Sequence, residues 1–508
     1  MKKHNDFLEH IDVSPELHDK IMKQVSQNSN PVYRKRAAIR YAGVAVCMAV
    51  IIWGVWFAFG FWGSGQTPGN QPELLIYEQE DRQPNTESGW PQHPQMLTAI
   101  TIHHIEAAPL IEPIWNVPDP AAVQAARGAN DFAFRLSAAL VAGAGYDNFV
   151  VSPYSVWMPL AALLNATMYE HRPALLDAIG AGGISVEDVN RAASRMLFDL
   201  TNERARRQGW GAEFEDSPLH IANAIFVDHS RTLRHEFAQV FMDYFRGEMI
   251  QVDFLNPMAV EEVNQWASDN TNGLINEVVQ EFDPNTVAAI ANAIYFSGSW
   301  VNKFDPNQTQ RDIFYSPAGE IYAYFMQNWW PFIPYFEDER VQAINLPFSG
   351  GSGGMQIILP KDGDAVGLLA SMTSEYFDRM QNEAVFAKGR LLLPRFSIEN
   401  TLNDLKDSLI ALGVPLFDEA AAPLTGGLLE NYLPTWASRA VQVAMVEVDE
   451  EGATAAAVTV MDVADDAGPP EAEIIFEMIC NTPFVFVLHG RTFDGDRQVL
   501  FTGVVNQP

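Results

Sequence analysis

Three places in the chain carry residue types that could do chemistry. Gly350-Gly351-Ser352-Gly353-Gly354 fits the pattern G-x-S-x-G. A nucleophile elbow of that pattern sets its serine on a sharp turn between a strand and a following helix. Here the next residues, Met355 to Pro360 (MQIILP), read as a strand. The motif is therefore a glycine-rich turn between strands, and Ser352 is no nucleophile. His103 and His104 are adjacent but lie in a stretch rich in Pro, Gly and Gln, where they stand as an incidental pair. Cys47 and Cys480 are too few for a disulfide framework or a metal cluster. No HExxH, Walker or G-x-G-x-x-G constellation is present. The sequon Asn165-Ala166-Thr167 falls in a helical block and reads as incidental. Catalysis, metal and cofactor are all unexpected.

The third place is Glu450 to Asp466 (EEGATAAAVTVMDVADD). Side chains of a strand alternate between its two faces. Counted that way from Gly452, one face carries Ala453, Ala455, Ala457, Thr459, Met461 and Val463. None is charged and the first three are small. The other face carries Thr454, Ala456, Val458, Val460 and Asp462, and the first charge on the uncharged face is Asp465. The stretch could enter a core as far as Val463 or Ala464. Alone, an Ala-rich run of this kind reads equally well as an ordinary helix or strand.

The surrounding elements narrow the choice. The 508 residues carry 32 Lys+Arg against 64 Asp+Glu, a formal charge of −32. A nucleic-acid binder needs basic stripes to neutralise phosphates, so that class is excluded. Hydrophobic residues make up 48% and charged residues 19%, which excludes gross disorder. Residues 1–62 nevertheless hold eight basic and five acidic groups. Tyr41 to Trp62 is a run of 22 residues without a charge, long enough as a helix to cross a hydrocarbon layer of roughly 30 Å. It is too long and too far from the N-terminus for a cleavable signal peptide. Arg34, Lys35, Arg36 and Arg40 precede it, so the positive-inside rule orients it. The expected order is a cytoplasmic segment (1–36), a transmembrane helix (37–62), an extracytoplasmic Pro/Gly/Gln-rich stalk (63–126) and a globular domain (127–508).

Within the globular part, NDFAFRLSAALVA and VEEVNQWASDNTNGLINEVV have helical spacing, whereas AIANAIYFSGSW, MQIILP, LLLPRFSI and PFVFVLHG read as strands. Helices early and strands late indicate α+β architecture. Several blocks, in order, resemble the serpin family: NFVVSPYSVWMPLAALLNAT, ANAIFVDHSRTLRHEFAQVF, VNQWASDNTNGLI, NAIYFSGSWVNKFDPNQTQRDIF, LLLPRFSIENTLNDLKDSLIALGV, VEVDEEGATAAAVTV and NTPFVFVLHGRTFDGDRQVLFTGVVNQP. The resemblance covers residues 127–508. It implies a serpin fold of about nine helices and three β-sheets with an exposed reactive-centre loop. It also implies suicide inhibition: a protease cleaves the loop, is held as an acyl-enzyme, and the loop inserts as a new strand in the central sheet.

By that resemblance Glu450, Gly452, Ala453, Thr454, Ala455, Ala456 and Ala457 form the hinge, with Gly452 supplying backbone freedom at the turn. The reactive bond joins Asp466 and Ala467. Ser152, Ser155, Asn292 and Gln442 form a hydrogen-bonded shutter, with Gln442 where the family commonly has His. Gly298 and Trp300 match the breach. The loop is acidic and lacks Lys and Arg, which disfavours trypsin-like targets. An Asp-accepting protease fits Asp466, and a subtilisin- or elastase-like protease fits Met461, Val463 or Ala464. The expected function is a serine-type or cysteine endopeptidase inhibitor. The expected molecule is a membrane-anchored monomer of bacterial type, with the bilayer and a target protease as partners. A non-inhibitory serpin acting as a chaperone or binding module is the alternative.

Overall fold

The computed structural model describes residues 108–111, 119–201, 219–296, 298–349, 353–402, 405–430, 432–453, 474–492 and 497–508. They contain nine α-helices. These are α1 (Pro120–Val141), α2 (Pro153–Leu163), α3 (Arg172–Ala178), α4 (Val186–Leu200), α5 (His235–Phe245), α6 (Met258–Asn270), α7 (Ala365–Ala370), α8 (Ser374–Asn382) and α9 (Lys406–Ala411). No helix among the described residues is long and apolar enough to cross a membrane. The charge-free run Tyr41 to Trp62 and the stalk lie outside the described residues.

Local chemistry sets the helix ends. α1, α2 and α4 start at Asp119, Ser152 and Ser185, whose side chains accept the Ala122, Ser155 and Asp188 amides. Each satisfies a first-turn donor that the helix itself leaves open. The run VEEVNQWASDNTNGLINEVV is helical only to Asn270. Asn272 (φ 53°) and Gly273 (φ 78°) then take left-handed conformations that reverse the chain.

Three sheets form. The largest has nine strands, in the order β1 (Phe149–Val151), β16 (Arg497–Val505), β15 (Phe484–Arg491), β9 (Gly353–Pro360), β8 (Val341–Pro347), β7 (Gly319–Glu337), β10 (Val385–Pro394), β14 (Ile474–Ile479), with β6 (Gln310–Ser316) on β7. β15 is covered on both faces. Phe484, Phe486 and Leu488 enter the main core, while Val485 and Val487 enter a second core with Phe134 of α1 and Phe377 of α8. A strand buried on both faces reads as a continuous apolar run, which is why PFVFVLHG lacks alternation.

The other two sheets are β3–β2–β4 and β11–β12–β13–β5. Their strands are β2 (Leu219–Asp228), β3 (Gly247–Val252), β4 (Ala288–Phe296), β5 (Gly298–Ser299), β11 (Phe396–Leu402), β12 (Gln442–Val448) and β13 (Gly452–Ala453). β4 and β5 are consecutive along the chain but belong to different sheets. No ladder joins β4 to β12 among the described residues. At one end, taken as the upper, β13 lies between β12 and β5, the strand that follows β4 along the chain.

Candidate functional site

At that upper end β12 reverses through Asp449 to Glu451 and returns as β13. The Asp449 carboxylate accepts the Glu451 amide at 2.8 Å and the Gly452 amide at 3.2 Å, and its own amide donates to the Gly452 carbonyl at 3.0 Å. A short polar side chain folding back on its own backbone stabilises such a tight turn. Ala453 then pairs with Val448 on one side and Gly298 on the other, and Gly452 pairs with Ser299. Ala453 is 1% exposed. Gly452 and Ala453 therefore lie as a short strand between β12 and β5.

Gly452 has no positive φ, which corrects the expectation that it supplies backbone freedom. Its role is close approach, because a Cβ there would lie 2.0 Å from the Gly298 carbonyl oxygen. Gly298 is equally constrained: a Cβ there would come within 2.7 Å of the rings of Phe296 and Phe348. Trp300 stacks on Phe348 at 4.9 Å between centroids and is 1% exposed. Its indole donates to the Asp449 carbonyl at 3.0 Å and its amide to the Glu451 carbonyl at 2.9 Å. Phe304 donates its amide to the Glu450 carbonyl at 3.1 Å. The predicted breach residues thus hold the hinge turn directly.

Glu450 is 4% exposed, and one carboxylate oxygen carries its contacts. Arg395 donates to it through Nη2 at 2.6 Å and Nε at 2.9 Å, and the Thr309 hydroxyl donates to it as well. Burial alone would raise its pKa, but the Arg395 and Thr309 hydrogen bonds outweigh it and hold the carboxyl below its ordinary value. Lys303 pairs with Glu451 at 2.5 Å near the surface. Arg395, Thr309 and Lys303 escaped the sequence reading. The signal available was a cation inside each of two apolar blocks, LLLPRFSI and SWVNKF.

The shutter residues sit lower, at the facing edges. Gln442 and Ser152 form a reciprocal pair: the Ser152 amide donates to Gln442 Oε1 at 3.1 Å, and Gln442 Nε2 donates to the Ser152 carbonyl at 2.6 Å. The Ser152 hydroxyl donates to the Leu500 carbonyl at 2.8 Å and accepts the Ser155 amide at 3.4 Å. Asn292 does not join this cluster, which corrects the expected four-membered shutter. Its Nδ2 donates to Asn223 Oδ1 at 2.6 Å, and Asn223 donates to the Phe245 carbonyl at 2.7 Å. β2 lies directly beside β4 and offers Asn223 at the paired position, so the Asn292 Nδ2 finds its acceptor within its own sheet. Its Oδ1 is buried and has no hydrogen-bond partner among the described residues.

Thr454, Ala455, Ala456, Ala457, Asp466 and Ala467 lie outside the described residues, as do His103, His104 and Ser352. Gly353 begins β9 with φ 142°, so MQIILP is a strand as read. Asn165 exchanges hydrogen bonds with Asn190 at 2.9 Å, and the Thr167 hydroxyl is buried on the Leu163 carbonyl. Burial raises the Cys480 thiol well above its ordinary pKa, so it stays protonated.

Comparison with known proteins agrees with this geometry. A family model described as serpin (serine protease inhibitor) matches residues 127–508. Antichymotrypsin-2 of Bombyx mori is 32% identical over 385 residues, which cover 74% of this chain and 96% of the relative. Human neuroserpin is 29% identical over 302 residues, 57% of this chain and 71% of the relative. Among solved structures, the native state of the thermophilic serpin tengpin superposes with a TM-score of 0.66 at 23% identity, covering 80% of this chain and 98% of tengpin. Human kallistatin gives 0.64 at 23% identity, with 77% and 99% covered. Membership of this group makes the chain a relative of protease inhibitors and not an enzyme. By its ordered blocks, its three sheets and the family match over residues 127–508, the chain belongs to the serpin family.

Proposed function

We propose that this serpin is a suicide inhibitor of serine-type endopeptidases, with cysteine endopeptidases as a second target class. The observation that carries the reading is the hinge: Ala453 is paired on both edges, and Gly452 on one, at the head of two strands that no ladder joins among the described residues. Cleavage at Asp466–Ala467 would free residues 454–466 to follow. If the Val448/Ala453 and Gly298/Ala453 pairings continue without a bulge, Ala455 comes opposite Val446 and Phe296, and Ala457 opposite Ala444 and Ile294. Thr459 then arrives between Gln442 and Asn292. The small, uncharged face of the loop would meet buried positions of both strands. A dozen or so ladder bonds at about 0.5–1.5 kcal/mol each supply on the order of 10 kcal/mol.

The acidic loop favours an Asp-accepting or a subtilisin- or elastase-like target. The charge-free run Tyr41 to Trp62 behind Arg34, Lys35, Arg36 and Arg40 supports a bacterial-type cell-membrane anchor. Residues 1–36 would then be cytoplasmic and the serpin domain extracytoplasmic, acting as a monomer. Incubation with a panel of proteases should give a complex that survives denaturing electrophoresis. Loop cleavage by every protease with no covalent complex would favour the chaperone or binding-module reading instead.

A further inference from the structure

A cavity of about 340 Å³ lies where three segments of the chain meet, and it shares no residue with the hinge, the breach or the shutter. Its walls come from residues 165–172, which connect α2 to α3, from residues 234–240 at the start of α5, and from the turn 425–427. The volume falls at the lower end of the range of small-ligand sites, roughly 300–1,000 Å³.

The walls are pinned to one another. The Met168 amide donates to the Pro423 carbonyl at 2.8 Å, the Arg234 amide to the Leu428 carbonyl at 2.9 Å, and Arg234 Nη1 to the Gly426 carbonyl. A Cβ on Gly427 would lie 1.9 Å from the Ala166 carbonyl oxygen, so only glycine lets the turn close on the first wall. The fold itself holds the space, and a ligand need not open it.

Most polar groups of the lining are already engaged. Asn165 is bonded to Asn190, and the Thr167 hydroxyl to the Leu163 carbonyl. The Thr425 hydroxyl donates to the Ala422 carbonyl at 2.7 Å and accepts the Thr435 amide at 3.0 Å. Arg234 pairs with Glu236 at 3.3 Å, so these two charges cancel. The Glu236 carboxyl is held below its ordinary pKa by its own amide and by Arg234, and it stays ionised near neutral pH. Arg172 differs. Its Nε donates to the nearby Thr167 carbonyl at 2.9 Å, but its two terminal amines make no hydrogen bond or ion pair among the described residues. The wall therefore keeps one half-buried, uncompensated guanidinium, in a chain with 64 acidic against 32 basic residues. Buried Ala166 and Phe237, with Val240, supply an apolar surface beside it, and Tyr169 stands exposed at the rim.

A guanidinium fork takes a carboxylate through two parallel hydrogen bonds. A phosphate monoester carries about −1.5 to −2 charges at neutral pH and would also face Glu236. One free positive charge therefore matches a monoanion. We propose that this cavity binds a small organic carboxylate, with the carboxylate on Arg172 and the apolar body against Phe237 and Val240. The site needs neither loop cleavage nor strand insertion.

The test titrates the full chain in detergent with phenylacetate, the neutral isostere phenylacetamide and inorganic phosphate. Calorimetry and thermal melting are read in wild type, Arg172→Gln and Arg172→Lys. Phenylacetate should bind wild type with a dissociation constant on the order of 1 mM and raise the melting temperature as its concentration rises. Phenylacetamide and inorganic phosphate should each bind about tenfold more weakly or worse. Arg172→Gln should lose about tenfold or more in phenylacetate affinity while melting near wild type without ligand. Arg172→Lys, which keeps the charge but not the fork, should fall between them. Equal affinity for phenylacetate and phenylacetamide, unchanged binding in Arg172→Gln, or no binding of phenylacetate below about 20 mM would overturn the site. Inorganic phosphate binding more tightly than phenylacetate would overturn the carboxylate assignment.

Discussion

The head and the middle of the strip between β4 and β12 are built differently. At the head both edges are stitched to the hinge: the Trp300 and Phe304 amides reach the Glu451 and Glu450 carbonyls, Gly452 and Ala453 form ladder pairs, and Arg395 grips Glu450. In the middle each edge bonds to a partner of its own, away from the other edge. Gln442 serves Ser152 at the start of α2 and Asn292 serves Asn223 of β2, with no side-chain bridge between them among the described residues. On the proposed insertion, the head would fix where a strand starts, and the middle would offer little to break as it advances.

The largest effect should come from blocking the head. Ala453→Arg puts a charge at a site 1% exposed, between Val448 and Gly298. Burying an unpaired charge there is prohibitive, so the inhibitor should become a plain substrate. Titration against a reacting protease would read this as a stoichiometry of inhibition raised about tenfold or more.

Next is Glu450→Gln, which removes the ionised partner of Arg395 and should cost about 1–3 kcal/mol in urea unfolding. The same pair makes a pH prediction. The folded carboxyl titrates below its ordinary value of 4.5, so its contribution is complete above that pH. It should fade as the pH falls through the lower folded value, and Glu450→Gln should be flat over that window.

Smaller still is a test of the divided middle. Gln442→Ala and Asn292→Ala should destabilise by about 1–2 kcal/mol each and be additive within about 0.5 kcal/mol, since they share no partner. A large coupling energy would mean that the two edges are joined. Lys303→Met breaks the half-exposed pair with Glu451 and should change stability by less than about 1 kcal/mol.

Legibility in the sequence followed sequence distance. Gly298, Trp300 and the Ser152–Gln442 pair could be placed because each sits in a block whose resemblance to the family is local, whereas Thr454 to Ala457 of the hinge lie outside the described residues. β9 and β15 were likewise visible as short apolar runs. Asn223 was not legible as a partner of Asn292, because nothing local says that β2 lies beside β4. The contacts of Arg395 and Thr309 were hidden for the same reason, each bridging segments brought together only by folding. Gly452 was found for the wrong reason: sequence marks a glycine but not whether φ or space demands it.

The central claim is that the strip between β4 and β12 receives the cleaved loop. It is tested most directly by nicking the loop with a protease the serpin does not trap, then comparing thermal unfolding before and after. An added central strand worth on the order of 10 kcal/mol should raise the melting temperature by roughly 20 °C or more. A nicked protein that melts where the intact one does would contradict it.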